Sequence, residues 1–459
     1  MGLIRIHPLD NVAVDTETGH KQVLTDIPAG ADIVKYGFPI GHATVDIKAG
    51  EHVHTHNLAT NLGEMLTYEY TPIEGTDRAG KTARHIRAYV RANGDIGIRN
   101  DIWIVNTVGC VNKLAENIAS RTGAFSFPHP YGCSQLGGDH ATTQKILRGL
   151  VKHPNAGGVL VLGLGCENNN IEEFKKVLGP VNEERVRFLN AQSCEDELEE
   201  GVRIIEELKA IAAKDVRVSV PVSRLRVGLK CGGSDGFSGI TANPLIGQFS
   251  DWLCAQGGST VLTEVPEMFG AETILMNRCV SREVFDKTVE LINGFKEYFT
   301  RHGQVIYENP SPGNKAGGIT TLEEKSLGCT QKGGTSPVVD VLDYGDTVTK
   351  SGLNLLNGPG NDMVAVTNLT AVGCHMILFS TGRGTPLGAP VPTVKIGTNS
   401  DISCRKSNWI DFDAGPMIDG ADLAENFIAY CLQVAEGRET NNEKNGYREI
   451  AIFKDGVTL

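Results

Sequence analysis

From residue 101 onward, short apolar segments alternate with helical patterns, and this alternation constrains the fold more than any other feature of the chain. The helical patterns carry apolar residues at positions i, i+3 and i+4, as in residues 195–213 and 281–302. Strands that alternate with helices predict an α/β fold with mostly parallel sheets, covered by helices on both faces. The segments predicted as strands are residues 102–107, 124–127, 158–164, 186–189, 225–229, 260–263, 363–366, 376–380 and 393–397.

Turns rich in glycine and reactive side chains follow six of these predicted strands. The longest spans residues 230–244 and holds four glycines, a thiol, two serines, an aspartate and a lysine. Ligands of parallel sheets bind beyond the carboxyl ends of the strands, although a single loop is often only a connection. Six such loops in series therefore favour an active-site face at this edge.

The first 72 residues have a different pattern, rich in Val, Ile, Thr and His with short alternating runs. Two similar turns, residues 27–30 and 47–50, interrupt these runs and predict a small all-β domain. A chain of 459 residues also exceeds one ordinary hydrophobic core. The predicted organisation is an all-β domain at residues 1–72, a linker at 73–100, a first α/β domain at 101–224 and a second, catalytic α/β domain at 225–459.

Composition argues against several classes of partner and location. The net charge of −12 disfavours binding to nucleic acid or to an anionic membrane. The first residues lack the apolar core of a signal peptide, and no apolar run approaches the ~20 residues that span a bilayer, so we expect a cytoplasmic protein. The eleven cysteines lie mostly in glycine-rich turns and do not resemble a secreted disulfide framework. They predict reduced thiols, some of them metal ligands.

Four of these cysteines follow predicted strands: Cys110, Cys133, Cys166 and Cys231. If they converge, three or four thiolates could hold zinc or an iron–sulfur cluster. Their spacing is not that of a local Cys-x-x-Cys motif, so the site depends wholly on the fold. The alternative is that each is a small buried apolar residue.

Three histidines alternate along one segment, at His52, His54 and His56. In a strand, a period of two places all three imidazoles on one face. A His-x-His pair gives one metal two neutral nitrogen ligands. The segment therefore predicts binding of a metal or an anionic substrate, with an exposed polar face as the alternative.

A third cluster lies at residues 309–329, where Pro and Gly predict a shaped loop. Lys315 and Lys325 could offset the charge of an anionic substrate. Residues 320–324 also fit the start of a helix with acidic residues in its first turn, and the two interpretations are compatible. A complete dinucleotide fingerprint and a phosphate-binding P-loop are both missing from the sequence, which disfavours a nicotinamide or ATP enzyme.

Several long segments together resemble the altronate/galactarate sugar-acid dehydratases, and within them the altronate branch. The resemblance extends over nearly the whole chain, to residues 451–454 near its end. It implies an N-terminal β-clip domain of the SAF type, a two-part α/β catalytic region and dependence on iron. The segments that carry it are residues 37–57, 131–135, 153–169, 230–244, 262–272, 307–331 and 379–400.

The resemblance also implies a reaction, the removal of water from a 2,3-dihydroxy acid to give a 2-keto-3-deoxy acid. For D-altronate the product is 2-keto-3-deoxy-D-gluconate. The C2 proton is a weak acid because the adjacent carboxylate gains charge as it leaves, and a divalent metal would stabilise that charge. Alternatives are another aldonate or aldarate such as galactarate, a sulfolactate-type sulfo-lyase, and a sugar-acid binding protein without turnover. A fused SAF domain favours the dehydratase.

Site residues follow from joining this chemistry to the clusters above. One hypothesis places iron on Cys133, Cys166 and Cys231, as Fe2+ or as a 4Fe–4S cluster with one open iron. The competing hypothesis is a single Fe2+ or Mn2+ ion on His54, His56 and Glu264. Candidates for proton transfer are His54, His56, Lys230 and Glu264. Candidate substrate contacts are Ser134, Gln135, Ser234, Asp235, Lys315, Lys325 and Arg383. The expected partner is a small sugar acid, and a homo-oligomer is left open.

Overall fold

Two small antiparallel sheets form the N-terminal domain in the computed structural model, which describes residues 2–63, 66–73 and 83–459. Its strands are β1 (Leu3–Ile4), β2 (Val12–Asp15), β3 (Lys21–Val23), β4 (Asp32–Lys35), β5 (Phe38–Ala43), β6 (His52–Val53) and β7 (Leu58–Ala59). One sheet has the order β1-β2-β3-β6 and the other β4-β5-β7. Val12, Ile40 and Val53 share the buried core, and Ile27 pairs with Ile47 across the two similar turns. The predicted all-β domain is confirmed.

The next part of the chain is an α/β domain around a four-stranded parallel sheet of order β11-β10-β12-β13. Buried apolar strands with helices between them produce this arrangement, as the alternation predicts. Its elements, together with the short strands that flank it, are β8 (His85–Val90), β9 (Ile96–Gly97), β10 (Asp101–Asn106), α1 (Asn112–Thr122), β11 (Phe125–Ser126), α2 (Gly137–Val151), β12 (Ala156–Gly163), α3 (Ile171–Leu178), β13 (Val186–Asn190), α4 (Glu197–Ala212) and β14 (Val218–Pro221).

The segment expected to be a linker differs from that expectation where the structure describes it. Strands β8 and β9 pair with each other, and β14 adds to β8, to give a three-stranded antiparallel sheet. Ile86, Ala88 and Ile96 are at most 1% exposed and belong to the largest core. Burial of these side chains explains why the segment is ordered β-structure, and residues 74–82 lie outside the described part.

A seven-stranded, wholly parallel sheet forms the third part, in the order β17-β18-β16-β15-β19-β20-β21. Its strands are β15 (Arg226–Cys231), β16 (Ser259–Leu262), β17 (Val338–Leu342), β18 (Gly352–Leu356), β19 (Met376–Thr381), β20 (Thr393–Gly397) and β21 (Phe412–Asp413). Its helices are α5 (Ala242–Ala255), α6 (Glu272–Met276), α7 (Arg282–Arg301), α8 (Pro312–Ala316), α9 (Leu322–Thr330), α10 (Asp362–Ala371), α11 (Ser400–Arg405), α12 (Ala424–Ala435) and α13 (Asn441–Lys444). Within the described ranges, none of the helices has the length and apolar character needed to cross a membrane.

Most predicted elements of the α/β region are confirmed, and one is wrong. Residues 363–366 lie in α10, because the Asn361 side chain accepts a hydrogen bond from Val364 N and caps a helix there. Strands β17 and β18 were not predicted, although both are largely buried. Strand β15 lies at the centre of the sheet, with β16 on one side and β19 on the other. The strand order reverses there, which is where open α/β sheets bind ligands.

Candidate active site

A buried ion-pair triad docks the N-terminal domain onto the large sheet. Glu324, in the first turn of α9, lies 2.8 Å from Lys21 Nζ through one oxygen and 2.8 Å from Lys35 Nζ through the other. All three side chains are at most 1% exposed. Burial would raise the pKa of Glu324, but the two ammonium groups outweigh it and lower that pKa to about 2. The triad therefore holds the two domains together with complementary charges.

Glycines in two loops, one after β15 and one after α8, allow this close approach. A Cβ atom on Gly236 would lie 2.0 Å from the carbonyl oxygen of Gly19, and one on Gly318 would lie 2.5 Å from the same oxygen. Backbone of the N-terminal domain thus contacts backbone of the large sheet directly. The interface places the histidines of the N-terminal domain next to the C-terminal end of α8.

Four histidines of the N-terminal domain form a cluster that we call the histidine quartet: His20, His52, His54 and His56. Ring centroids of His20 and His52 are 5.1 Å apart, and those of His20 and His54 are 5.6 Å apart. Pairing of β3 with β6, with Lys21 opposite Val53, brings His20 level with His54. The predicted row of imidazoles therefore gains a fourth ring from the neighbouring strand.

The quartet faces the segment that carries Lys315. His54 Nε2 lies 2.9 Å from the carbonyl oxygen of Lys315, so two predicted site residues are brought together. His20 Nδ1 and His52 Nε2 are only 3.1 Å apart. Burial and the charges of neighbouring rings lower the pKa of His20 and of His52, which keeps both rings neutral at pH 7.

Beside this interface is an open cleft of about 700 Å³. Residues 16–18 of the N-terminal domain form one wall, and residues 316–317 and 382–383 form another. Two arginines, Arg383 and Arg405, share the lining with four carboxylates, those of Glu17, Asp235, Asp401 and Asp419. An arginine can bind a carboxylate and the acidic side chains can accept hydrogen bonds from hydroxyl groups, so this polar lining suits a small hydroxylated acid.

Asp235 lines the same cleft, and hydrogen bonds from neighbouring side chains fix its carboxylate. Thr398 Oγ1 donates to its Oδ2 at 2.9 Å, and Ser238 Oγ donates to its Oδ1 at 3.0 Å. Burial raises the pKa of Asp235, although these hydrogen bonds favour its charged form. Ser234, next to it, is 2% exposed, and its Oγ has no hydrogen-bond partner among the described residues. Asp235 thus shapes the cleft, whereas Ser234 lies beneath it.

A dense group of buried charges lies where β15 ends. Lys230 Nζ contacts the Glu264 carboxylate and lies 2.8 Å from Asp362 Oδ1. Lys332 Nζ lies 3.2 Å from the second oxygen of Glu264. Burial would lower the pKa of Lys230, but Glu264 and Asp362 outweigh it and raise that pKa above its usual value. Contrary to our expectation, Lys230 therefore remains an ammonium ion and is a poor proton acceptor.

The same group extends to two thiols. Cys231 Sγ and Cys329 Sγ are 3.4 Å apart, and each lies 3.1 Å from Glu267 Oε2. Lys325 Nζ lies 2.8 Å from Glu267 Oε1. Lys325, expected to contact substrate, is thus 8% exposed and committed to a carboxylate, because α9 turns it inward.

The predicted iron ligands do not come together as one set. Cys133 and Cys166 are exposed on loops of the four-stranded sheet, whereas Cys231 is buried at the end of the seven-stranded sheet. Glu264 is likewise separate from His54 and His56, since both its oxygens face lysines. Across the part of the chain that the structure describes, the group of three His, Cys, Asp or Glu ligand atoms within 4.8 Å of one another is Cys231, Glu267 and Cys329.

Ser134 and Gln135 also lie away from the cleft. Leu459 N donates to the carbonyl oxygen of Ser134 at 3.0 Å, and Gln135 pairs with Thr458. The last residues of the chain therefore cover this loop of the four-stranded sheet. Ser134 has φ of 57°, an uncommon backbone conformation for a residue other than glycine.

One pair of rings in the histidine quartet, His20 and His52, offers part of a ligand set for the iron that the family resemblance implies, and no third His, Cys, Asp or Glu ligand atom among the described residues lies within 4.8 Å of both. Imidazole nitrogens are suitable ligands for Fe2+, and they bind in the neutral state that His20 and His52 maintain. When two nitrogens bind one ion at about 2.1 Å each and the nitrogen–metal–nitrogen angle is near 90°, the nitrogens are about 3 Å apart. The 3.1 Å between His20 Nδ1 and His52 Nε2 matches that separation.

Sequence comparison agrees with the three-part architecture. The family model described as "D-galactarate/Altronate dehydratase, C-terminal" matches residues 222–458. The model "D-galactarate dehydratase/Altronate hydrolase, second domain" matches residues 88–213, and "Altronate/galactarate dehydratase SAF domain" matches residues 14–61. The chain belongs to the D-galactarate/altronate dehydratase family. It is accordingly a hydro-lyase, and its N-terminal domain is the SAF domain of that family.

Full-length relatives in this dehydratase family are known. The altronate dehydratase of Escherichia coli strain K12 is 52% identical, and the match covers 100% of both chains. The altronate dehydratase of Bacillus subtilis strain 168 is 56% identical over 97% of this chain and 93% of that protein. The galactarate dehydratase (L-threo-forming) of E. coli K12 is 31% identical over 98% of this chain and 96% of its own.

Several residues of this dehydratase site were not predicted as members. His20 is separated from the His-x-His-x-His segment by more than thirty positions, and only the β3–β6 pairing joins them. Glu267 follows a predicted strand and lies in the same turn as Glu264, so its position in sequence could have identified it as a candidate site residue. Cys329 and Lys332 lie in and just after α9, where sequence offers no comparable sign.

Proposed function

We propose that this chain is an altronate dehydratase, which removes water from D-altronate to give 2-keto-3-deoxy-D-gluconate. The relatives named altronate dehydratase, at 52% and 56% identity over almost complete chains, carry this proposal. The galactarate dehydratase is more distant, at 31%. The polar cleft beside the histidine quartet, which is lined by both arginines and carboxylates, supports the same substrate class, a small hydroxylated acid.

We infer that the acid binds in the cleft with its carboxylate toward Arg383 and Arg405. A planar guanidinium suits a carboxylate because it can donate two parallel hydrogen bonds. Asp235, fixed at the cleft wall by Thr398 and Ser238, would accept hydrogen bonds from substrate hydroxyls. The sugar acid then lies next to residues 316–317, close to the histidine quartet.

We further infer that His20 and His52 hold Fe2+. The ion, when bound, would supply a positive charge that stabilises the carboxylate as the C2 proton leaves. His54 is the candidate for moving that proton, because it lies beside the cleft segment and its contact with the Lys315 carbonyl fixes the orientation of the ring. Fe2+ is preferred over a cluster because the quartet offers no sulfur, and over Mn2+ because imidazole suits iron whereas manganese favours oxygen ligands.

The test is turnover by the full-length protein, prepared without oxygen and supplied with Fe2+. D-Altronate, galactarate and sulfolactate are compared by the rate at which 2-keto-3-deoxy product, or sulfite, is formed. We expect D-altronate to be the best substrate by at least tenfold in kcat/KM. Faster turnover of galactarate or sulfolactate would overturn the assignment.

The metal assignment is tested separately with His52→Gln. This variant should lose bound iron and reduce kcat by about 100-fold or more, because a metal-bound charge stabiliser contributes several kcal/mol. His85→Gln, at an exposed histidine on β8, is the matched control and should keep the iron content and the kcat of the wild-type protein. Full iron content in His52→Gln would show that the quartet is not the iron site.

A further inference from the structure

The thiol group under the loop after β15 has the features of a second metal site. Cys231 is 1% exposed, Cys329 is 4% exposed and Glu267 is 4% exposed. Their two sulfurs and one carboxylate oxygen are mutually separated by 3.1–3.4 Å. In a tetrahedral zinc site with Zn–S bonds of about 2.3 Å, neighbouring sulfurs are about 3.8 Å apart. The three ligand atoms are therefore gathered to within a small adjustment of that geometry.

Glu267 has one carboxylate oxygen held by a lysine and the other turned toward sulfur. Glu267 Oε1 accepts from Lys325 at 2.8 Å, which leaves Oε2 on the two thiols. One oxygen of Glu264 contacts Lys230, and its Oε2 lies 3.7 Å from Cys231 Sγ. Metal-bound carboxylates are usually oriented by such outer hydrogen bonds. Glu267 is thus oriented as a ligand, whereas Glu264, whose Oε2 also lies 3.2 Å from Lys332 Nζ, belongs to the surrounding ion pairs.

Lys332 completes this outer layer. Its Nζ lies 2.8 Å from Cys231 Sγ, within hydrogen-bond distance. The three lysines of the group, Lys230, Lys325 and Lys332, balance the charges of Glu264, Glu267 and Asp362. A divalent cation that replaces two thiol protons leaves the total charge of the buried group unchanged, so its binding adds no uncompensated buried charge.

We propose that Cys231, Cys329 and Glu267 form a metal site, distinct from the histidine quartet, for one thiophilic divalent ion such as Zn2+. Two sulfurs and a carboxylate oxygen favour zinc, whereas the imidazoles of the quartet suit Fe2+. The site joins the end of β15 to α9, the helix whose first turn carries Glu324. Metal binding would therefore fix the helix that docks the SAF domain.

The first experiment uses Co2+ as a spectroscopic substitute in the full-length, metal-depleted protein. Thiolate-bound Co2+ has an intense ligand-to-metal absorption band in the near ultraviolet, which imidazole ligands do not give. We expect one equivalent of Co2+ to produce this band, and one equivalent of Zn2+ to remove it. Cys231→Ser and Cys329→Ser should abolish the band, whereas Cys374→Ser, at a buried cysteine outside the group, and His52→Gln should retain it.

A second measurement needs no variant and covers the case in which a serine variant does not fold. Zn2+ should slow the reaction of two thiols per chain with a thiol reagent in partly denaturing urea by at least tenfold. The proposal is overturned if wild-type protein gives no thiolate band, if His52→Gln removes it, or if Zn2+ protects no thiols. It is also overturned if the pair is found as a disulfide in protein that was kept reduced. None of these readouts depends on dehydratase activity, so failure of the proposed function would leave the result interpretable.

Discussion

Glu324→Gln is the substitution that most directly tests how the SAF domain is held. The change keeps the shape of the side chain but removes the negative charge between Lys21 and Lys35. An amide offers one oxygen, so its NH2 group must face one of the two ammonium ions. Lys21 keeps acceptors at Gly318 O, 2.6 Å away, and at Thr320 Oγ1, 2.8 Å away. Lys35 loses its ion-pair partner, and two positive charges remain buried together.

The size of the effect follows from the burial of the triad. Removing one partner of a buried ion pair costs about 3–5 kcal/mol, because an uncompensated charge remains. A loss of about 4 kcal/mol shifts the docking equilibrium by roughly a thousandfold. The exposed pair of Lys48 with Asp26 provides the control, and Asp26→Asn should leave stability unchanged within error.

The assay is hydrogen–deuterium exchange of peptides from residues 2–63, followed by mass spectrometry, together with urea unfolding. Glu324→Gln should accelerate exchange in these peptides by at least tenfold and lower the urea midpoint. It should also reduce turnover, since the histidine quartet would leave the cleft. If Glu324→Gln exchanges at the rate of Asp26→Asn, the argument that the triad docks the domain is refuted.

Three further predictions concern the cleft, the interface and the pH dependence of stability. Arg383→Ala should raise KM by about 10- to 150-fold, as expected for loss of a charged hydrogen bond of about 1.5–3 kcal/mol, and exposed Arg282→Ala should leave steady-state kinetics unchanged. Gly236→Ala should destabilise the protein by about 1–3 kcal/mol in urea unfolding, because the added methyl overlaps Gly19 O, whereas Gly294→Ala, with open space around its Cβ, should not. Burial lowers the pKa of His153 to about 3, so between pH 6.5 and 3 the unfolded chain binds a proton there that the folded chain does not. The free energy of unfolding should therefore decrease as the pH is lowered through that window, by about 2 kcal/mol at pH 5 for this group. In urea unfolding at pH 7 and pH 5, His153→Gln should lose correspondingly less stability than the wild-type protein.

Local patterns predicted much of the fold. The alternation of apolar segments with helical periods gave the parallel α/β region, including α7, whose start at Ser281 is marked by an N-cap. Residues 363–366 were mistaken for a strand because a short apolar run looks the same in a buried helix, and the capping Asn361 decides between them. Strand β8 was taken for a linker, since its partner β14 is more than a hundred residues away in sequence.

The site was predicted in part, for a physical reason. His52, His54 and His56 are close in sequence and their rings lie together, but β6 holds only His52 and Val53, so the predicted strand does not extend over all three. His20 joins them only through strand pairing, and Cys231 meets Cys329 only through the packing of α9 against the end of β15. Such distant contacts leave no local pattern.

Sequence by itself determined the classes of chemistry available here: thiols, imidazoles, lysines and carboxylates at the ends of strands. It did not determine which of them meet. Tertiary structure separated Cys133 and Cys166 from Cys231 and enclosed Lys230 and Lys325 in ion pairs. The reason is that solvent exposure and the charge of neighbours set what a side chain can do, and both depend on packing between segments far apart in the chain.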